Sequence, residues 1–172
     1  MAIDKITSAS ITTDAVGPTQ LNEASNYAFT GTVTGAGEDN KPIFKVSGGN
    51  LSLSHNTWTK LTISSEAIDT GSCFDLAGTK RFVPNVAGKY LVLLSVTAPT
   101  SSNADYIAIN IYKNGSNHTG ANGLNRDYNS VQFSSIVEAN GSSDYFEAYA
   151  EQESGGNMNL SVNYFSGFYI GN

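Results

Sequence analysis

The chain has 172 residues, of which 14% are charged and 10% aromatic, with 17 glycines and a formal net charge of −6. This length allows one domain with a hydrophobic core plus an appendage. The acidic balance and the lack of a basic stripe exclude a nucleic-acid-binding role and a polybasic membrane anchor. Few charges and many Tyr, Phe, Thr and Val residues favour short strands joined by turns.

The first ten residues, MAIDKITSAS, do not resemble a signal peptide, because no basic region precedes an apolar run. No stretch approaches the roughly 18 apolar residues that a membrane span requires. We therefore expect synthesis in a host cytoplasm without membrane insertion. Release by lysis and a location in the virion fit that expectation.

Residues 1–38 form a segment with its own pattern. Apolar residues recur about every three to five positions and are separated by Thr, Ser, Asp and Ala. One chain could not bury a core with so sparse a set, whereas three copies wrapped around an axis would bring these residues together. A flexible tail without a partner is the alternative. The residues expected on the axis include Ile6, Ile11, Val16 and Leu21.

The glycine-rich stretch 35–40 is interpreted as a hinge that separates a stalk or attachment segment, 1–38, from a head, 39–172. In the head, alternating apolar and polar residues predict strands between turn residues. The predicted strands cover residues 42–46, 51–54, 58–63, 81–84, 90–96, 106–112, 131–138, 145–151 and 160–170.

Three features qualify this pattern. The strand 90–96 is apolar on both faces, so both faces are expected to be covered. Asn-Gly pairs at 114–115 and 140–141 predict tight turns. No strand is assigned to the polar stretch 116–130. About eight to ten strands without a helix are typical of a sandwich, barrel or jelly roll.

Four segments carry a resemblance to a known superfamily. They are FVPNVAGKYLV at 82–92, INIYKNG at 109–115, the pair 131–137 and 141–146, and FSGFYI at 165–170. In this order they are similar to successive strands of the tumour necrosis factor and complement-q globular heads. The N-terminal segment, in turn, looks like the short repeats of phage tail-fibre shafts. The two resemblances together imply an all-β fibre protein of a phage tail or head. Its jelly-roll β-sandwich head would have about ten strands.

The resemblance also implies a homotrimer packed around a three-fold axis. Independently, the chain has more aromatic residues than one small sandwich needs, and on a monomer they would form a large exposed patch. The alternative is that all of them fill a single core. The residues assigned to the trimer interface or the core are Tyr90, Tyr112, Tyr149, Tyr164, Phe165, Phe168 and Tyr169.

No catalytic constellation stands out, and we predict a protein that is not an enzyme. His55 and His118 are far apart in the sequence, and no His or Cys spacing is typical of a zinc site. Glu147 and Glu151 lie roughly 13 Å apart along one predicted strand, which exceeds the carboxyl spacing of glycosidases. No cofactor and no metal are predicted, and Cys73 is interpreted as a small buried side chain.

Alternate loops of a jelly roll lie at the end away from the stalk. Counting back from the last strand places the loops 98–105, 123–129 and 153–158 there. Their Asn, Ser, Asp and Tyr residues could bind sugars through hydrogen bonds and stacking, although ordinary solvated loops are the alternative. The candidate receptor-binding residues are Asn103, Asp105, Asn125, Arg126, Asp127, Tyr128 and Asn157.

Together these patterns predict a non-catalytic, homotrimeric bacteriophage fibre. It would contact other virion proteins through the N-terminal segment and a host-surface glycan or receptor through the distal loops. Two alternatives stay open, a soluble complement-q-like recognition protein and a glycan depolymerase.

Overall fold

The computed structural model of the protein describes residues 41–98, 106–124 and 130–171. These residues form ten β-strands, and none of them belongs to a helix that could cross a lipid bilayer. The predicted stalk, with Ile6, Ile11, Val16 and Leu21, lies outside the described residues and remains a prediction. The strands are β1 (Ile43–Ser47), β2 (Asn50–Leu53), β3 (Thr59–Lys60), β4 (Ser65–Asp69), β5 (Ala87–Thr97), β6 (Tyr106–Lys113), β7 (Ser116–Leu124), β8 (Ser130–Asn140), β9 (Phe146–Glu153) and β10 (Met158–Gly171).

The strands form two antiparallel sheets. The larger sheet has the order β4-β1-β10-β5-β8, with β2 also paired to β10, and the smaller sheet has the order β3-β9-β6-β7. Strands adjacent in each sheet are mostly distant in sequence, so the chain passes repeatedly between the sheets. Buried side chains from both sheets belong to one hydrophobic core. This arrangement is a β-sandwich, as the strand pattern predicted.

Aromatic rings fill the centre of the core. Phe44 on β1 is fully buried, and its ring centroid lies 4.4 Å from Phe82, 4.8 Å from Phe165 and 5.3 Å from Phe74. A Cβ at Gly167, the residue paired with Phe44, would lie 2.7 Å from the Phe44 ring. Glycine at that position therefore leaves the space that the ring occupies.

The strand predictions fail where the strand pattern is weak. The predicted strand at 81–84 is wrong, because only Phe82 pairs there, through isolated bridges to Phe74 and Phe146. No strand was predicted at β4 or β7. Both lie at a sheet edge with one partner strand, and their polar residues do not alternate with apolar ones. An edge strand needs no buried face of its own to pair through its backbone.

The expectation that β5 is covered on both faces is wrong for the single chain. Val92 and Leu94 point into the core and are fully buried. Leu91 and Leu93 point to the outer face of the larger sheet and stay partly exposed. The apolar character of the outward face of β5 is therefore not explained by the fold of one chain.

The turn after β8 offers a test of backbone geometry. Gly141 has a φ of +71°, and a Cβ there would lie 2.3 Å from the amide nitrogen of Ala87. Gly155 has a φ of +78° and open space around it. Alanine strains the backbone at both sites, but only Gly141→Ala must also displace a neighbouring strand. We expect Gly141→Ala to lower the free energy of unfolding by about 1–3 kcal/mol more than Gly155→Ala. Urea denaturation at equal chain concentration measures both, and equal losses would contradict the role of the Ala87 contact.

Candidate functional site

Two of the residues assigned to the trimer interface or the core belong to the core, and a third packs against it. Tyr90 and Phe165 are fully buried, and Tyr169 packs against the core with its ring 5.4 Å from Tyr90. The Tyr90 hydroxyl donates a hydrogen bond of 2.6 Å to the Val86 carbonyl oxygen. Burial raises the pKa of Tyr90 to about 12. This ring is therefore a structural element of the chain and is not available to a partner.

The other four assigned residues lie on opposite sides of the sandwich. Tyr164 and Phe168 are on the outer face of the larger sheet, whereas Tyr112 and Tyr149 are on the outer face of the smaller one. A flat contact through one face cannot include both pairs. The two outer faces are therefore separate candidate surfaces.

A line of apolar side chains crosses the outer face of the larger sheet. Ile43 pairs with Phe168, Phe168 with Leu91, and Leu91 with Ile136, so the four residues lie side by side on four strands. Ile43, Phe168 and Ile136 are 40%, 38% and 60% exposed. We call these four residues the apolar line. Of its members, the sequence interpretation had assigned only Phe168 to an interface.

The surroundings of the apolar line complete this surface. The two other large apolar side chains that are exposed among the described residues, Ile68 and Ile170, belong to the same sheet. Further along the sheet, a shallow depression of about 300 Å³ is lined by Leu93, Gln132, Phe133, Ser134 and Tyr164. The Tyr164 hydroxyl donates a 3.2 Å hydrogen bond to Oε1 of Gln132. An apolar centre with a polar border is the usual composition of a protein interface.

The outer face of the smaller sheet combines aromatic rings with acidic side chains. The rings of Tyr112 on β6 and Tyr149 on β9 stack with centroids 3.9 Å apart, and Trp58 lies 6.2 Å from Tyr112. Burial and the nearby Glu151 carboxylate raise the pKa of both Tyr106 and Tyr112. We call these five residues, together with Asn110 on β6, the aromatic–acidic face.

Asn110 lies within the aromatic–acidic face. It pairs with Tyr149 on one side and with Gly120 on the other, and it is 8% exposed. A Cβ at Gly120 would lie 1.4 Å from Oδ1 of Asn110, so the amide occupies the space that this glycine leaves. No described residue forms a hydrogen bond with the Asn110 side chain.

The two carboxylates that the sequence interpretation considered as a glycosidase pair differ in their environment. Glu147 forms an ion pair with Lys60, whose ammonium group also donates to the carbonyl oxygen of Thr79. Glu151 forms no ion pair in the described part of the chain. Only one of the two carboxylates is therefore without a cationic partner.

The sequence predicted no metal site, and it named candidate residues for receptor binding. Among the described residues, no group of three or more His, Cys, Asp or Glu side chains could hold a metal ion. Asn157 is exposed in the turn between β9 and β10. The other receptor-binding candidates, Asn103, Asp105, Asn125, Arg126, Asp127 and Tyr128, lie outside the described residues and remain predictions.

Cys73 is the single cysteine of the chain and is 2% exposed. Its Sγ lies 3.0 Å from Oδ1 of Asp69. Burial, together with this carboxylate, raises the pKa of the thiol well above its ordinary value, so little thiolate exists at neutral pH. We expect no reaction with Ellman's reagent in the native protein and one thiol per chain in urea. Rapid native labelling would contradict the buried position.

The comparisons with known proteins show the fold. No protein-family model and no curated protein sequence matches the chain. Among solved structures, the globular domain of zebrafish complement 1qA is similar, with a TM-score of 0.54 and 15% identity over 75% of this chain and 97% of that one. Murine APRIL at pH 8.5 has a TM-score of 0.53 and 15% identity, over 74% and 97% of the two chains.

Eiger TNF from S. frugiperda is also similar, with a TM-score of 0.54 and 11% identity over 77% of this chain and 94% of that one. At these identities the likeness concerns the fold alone. The described residues thus have the jelly-roll fold of C1q/TNF-like domains, which confirms the fold predicted for the head. None of the three structures is a phage fibre protein, so the virion assignment depends on the sequence.

Proposed function

We propose that this protein is a non-catalytic recognition module of the complement-q/TNF-like type that acts as a homotrimer. The apolar line is the observation that carries this proposal. Three large apolar side chains stand partly exposed in a row, and Leu91 between them is apolar without being part of the core. Such a row is unfavourable in water and is typical of a protein interface.

The fold favours the same assembly. C1q/TNF-like domains are typically homotrimeric. Three copies related by a three-fold axis would cover the apolar line of each chain without leaving an open end. In such an arrangement the smaller sheet, on the other side of the sandwich, faces away from the axis and stays available for recognition.

Sedimentation equilibrium tests the assembly directly. At micromolar concentration we expect a particle with three times the chain mass of 18.2 kDa. A particle with the mass of one chain across that range would contradict the proposal. The apolar line would then need another occupant.

The finer assignment, a bacteriophage fibre in the virion, is part of the proposal. The spacing of apolar residues in segment 1–38 supports this assignment. In such a fibre, segment 1–38 would join other virion proteins, and the head would bind a host-surface glycan or receptor. Electron microscopy of the full chain should then show a shaft attached to a trimeric head. A head without a shaft would favour the second candidate, a soluble complement-q-like recognition protein. The similarity of the fold to complement 1qA supports that candidate.

A glycan depolymerase is not favoured. Glu147, one of the two carboxylates considered as a catalytic pair, is engaged in an ion pair with Lys60. Catalysis by two carboxyl groups requires both to face the scissile bond. Binding of a polysaccharide without release of shorter products would agree with the proposed recognition role.

A further inference from the structure

We propose that the aromatic–acidic face binds neutral oligosaccharides, with sugar rings stacked on Trp58, Tyr112 and Tyr149 and sugar hydroxyls bonded to Glu151 and Asn110. The inference rests on the recognition role proposed above. It does not depend on the trimer, because one chain provides the whole face.

The arrangement of the rings selects the shape of the ligand. Tyr112 and Tyr149 stack on each other, and Trp58 contacts Tyr112 at an interplanar angle of 52°. Because the rings touch one another, they do not surround a space, as the rings of an aromatic cage for a quaternary ammonium group must. Tyr112 and Tyr149 each cover one face of the other ring, and the cluster, which is partly exposed, offers its remaining apolar ring surface and the polar hydroxyl tips of the tyrosines. A ligand that lies across this surface, such as a chain of pyranose rings, fits it.

Two polar side chains beside the rings lack partners. The Asn110 side chain is 8% exposed and forms no hydrogen bond with any described residue, so its amide is left to bind water or a ligand. The Glu151 carboxylate has no cationic partner in the described ranges. A sugar hydroxyl can donate to the carboxylate and both donate to and accept from the amide.

The charge of the face selects among sugars. Glu147 is neutralised by Lys60, but Glu151 stands without a cation, and Glu153 is exposed on the same side of β9. Like charges brought together across a contact disfavour a partner. Sialylated and uronic-acid glycans are therefore disfavoured, and neutral ones are preferred.

The strands hold these groups in place. Trp58 immediately precedes β3, and the other groups lie on the adjacent strands β9 and β6. A site on paired strands is more nearly preorganised than a site on loops, which lowers the entropic cost of binding. Gly120 contributes by leaving room for Asn110.

The chain supplies its own reporter, because Trp58 is its single tryptophan. We would titrate the full chain with neutral oligosaccharides of glucose, galactose, mannose and N-acetylglucosamine while recording tryptophan fluorescence. Polygalacturonate serves as the anionic comparison and tetramethylammonium chloride as the cationic one. We expect a saturable change with at least one neutral oligosaccharide and none with the other two probes.

Two variants assign the response to this face. Tyr149→Ala and Glu151→Gln should each weaken binding by about tenfold or more, whereas Glu66→Gln, on an exposed edge of the other sheet, should not change it. Glu151→Gln keeps the size of the side chain, so it tests the site even if Tyr149→Ala does not fold. Tyr149→Phe should retain most of the affinity, because the stacked ring remains.

Four results would overturn the inference. The first two are the absence of a response to every neutral oligosaccharide and a response only to tetramethylammonium or polygalacturonate. The other two are an unchanged affinity of Glu151→Gln for the oligosaccharide and self-association of the chain through Tyr149. A trimer that binds glycans independently of Tyr149 and Glu151 would keep the recognition role and reject this face. A monomer that binds through these residues would keep the face and reject the trimer.

Discussion

Replacement of Ile136 by aspartate is expected to yield a folded monomer. Ile136 is 60% exposed in the single chain, so its side chain contributes little to the core. In the proposed trimer it would be covered by a neighbouring copy, and the carboxylate of Ile136→Asp would be buried there without a cation. Burying an unpaired charge costs several kcal/mol, which raises the dissociation constant by about 100-fold or more. Sedimentation velocity measures the loss of the trimer, and far-UV circular dichroism shows whether the β-structure is retained.

The matched control for this prediction is Ile136→Leu. Leucine retains the apolar surface and nearly the same volume, so the trimer should persist. If Ile136→Asp remained trimeric, the apolar line would not be the interface. If both variants lost the trimer, the shape of the side chain rather than its polarity would control assembly.

Sequence reasoning identified the strands that are half-buried. The predicted strands 145–151 and 160–170 correspond to β9 (Phe146–Glu153) and β10 (Met158–Gly171), because one face of each packs on the core and the apolar residues alternate. The same reasoning could not find β7, whose polar sequence SNHTGANGL contains no apolar stripe. Backbone pairing with β6 defines that strand, and backbone pairing leaves no signature in the side chains.

The surfaces were harder to predict than the strands. That Tyr112 and Tyr149 lie next to each other follows from the pairing of β6 with β9, a contact between segments distant in sequence. Whether these two tyrosines share a face with Phe168 depends on the order of the strands in the two sheets. The periodicity of residues within one strand does not predict that order. One signal was present in the sequence. The apolar residues on both faces of 90–96 indicated a second covered face, although the sequence does not show what covers it.

Replacement of Phe44 by alanine is expected to produce the largest loss of stability in the head. Its ring is fully buried between the sheets and lies within 5.3 Å of three other phenylalanine rings. Removal of such a ring leaves a cavity that rigid aromatic neighbours cannot close, and Phe→Ala changes of this kind cost about 3–5 kcal/mol. A domain with a total stability of about 5–15 kcal/mol would lose a large part of it.

The matched comparison is Phe168→Ala, made on the partner strand β10 but on the outer face, where the ring is 38% exposed. Both changes are best measured by urea denaturation in the Ile136→Asp background, because dissociation of a trimer would otherwise add a concentration-dependent term. We expect Phe168→Ala to cost at most about 1 kcal/mol there, since the ring lies outside the core and, in the proposed trimer, packs against copies that the monomer lacks. Equal losses in the two variants would mean that Phe168 stabilises its own chain, and the reason to place it in an interface between copies would disappear.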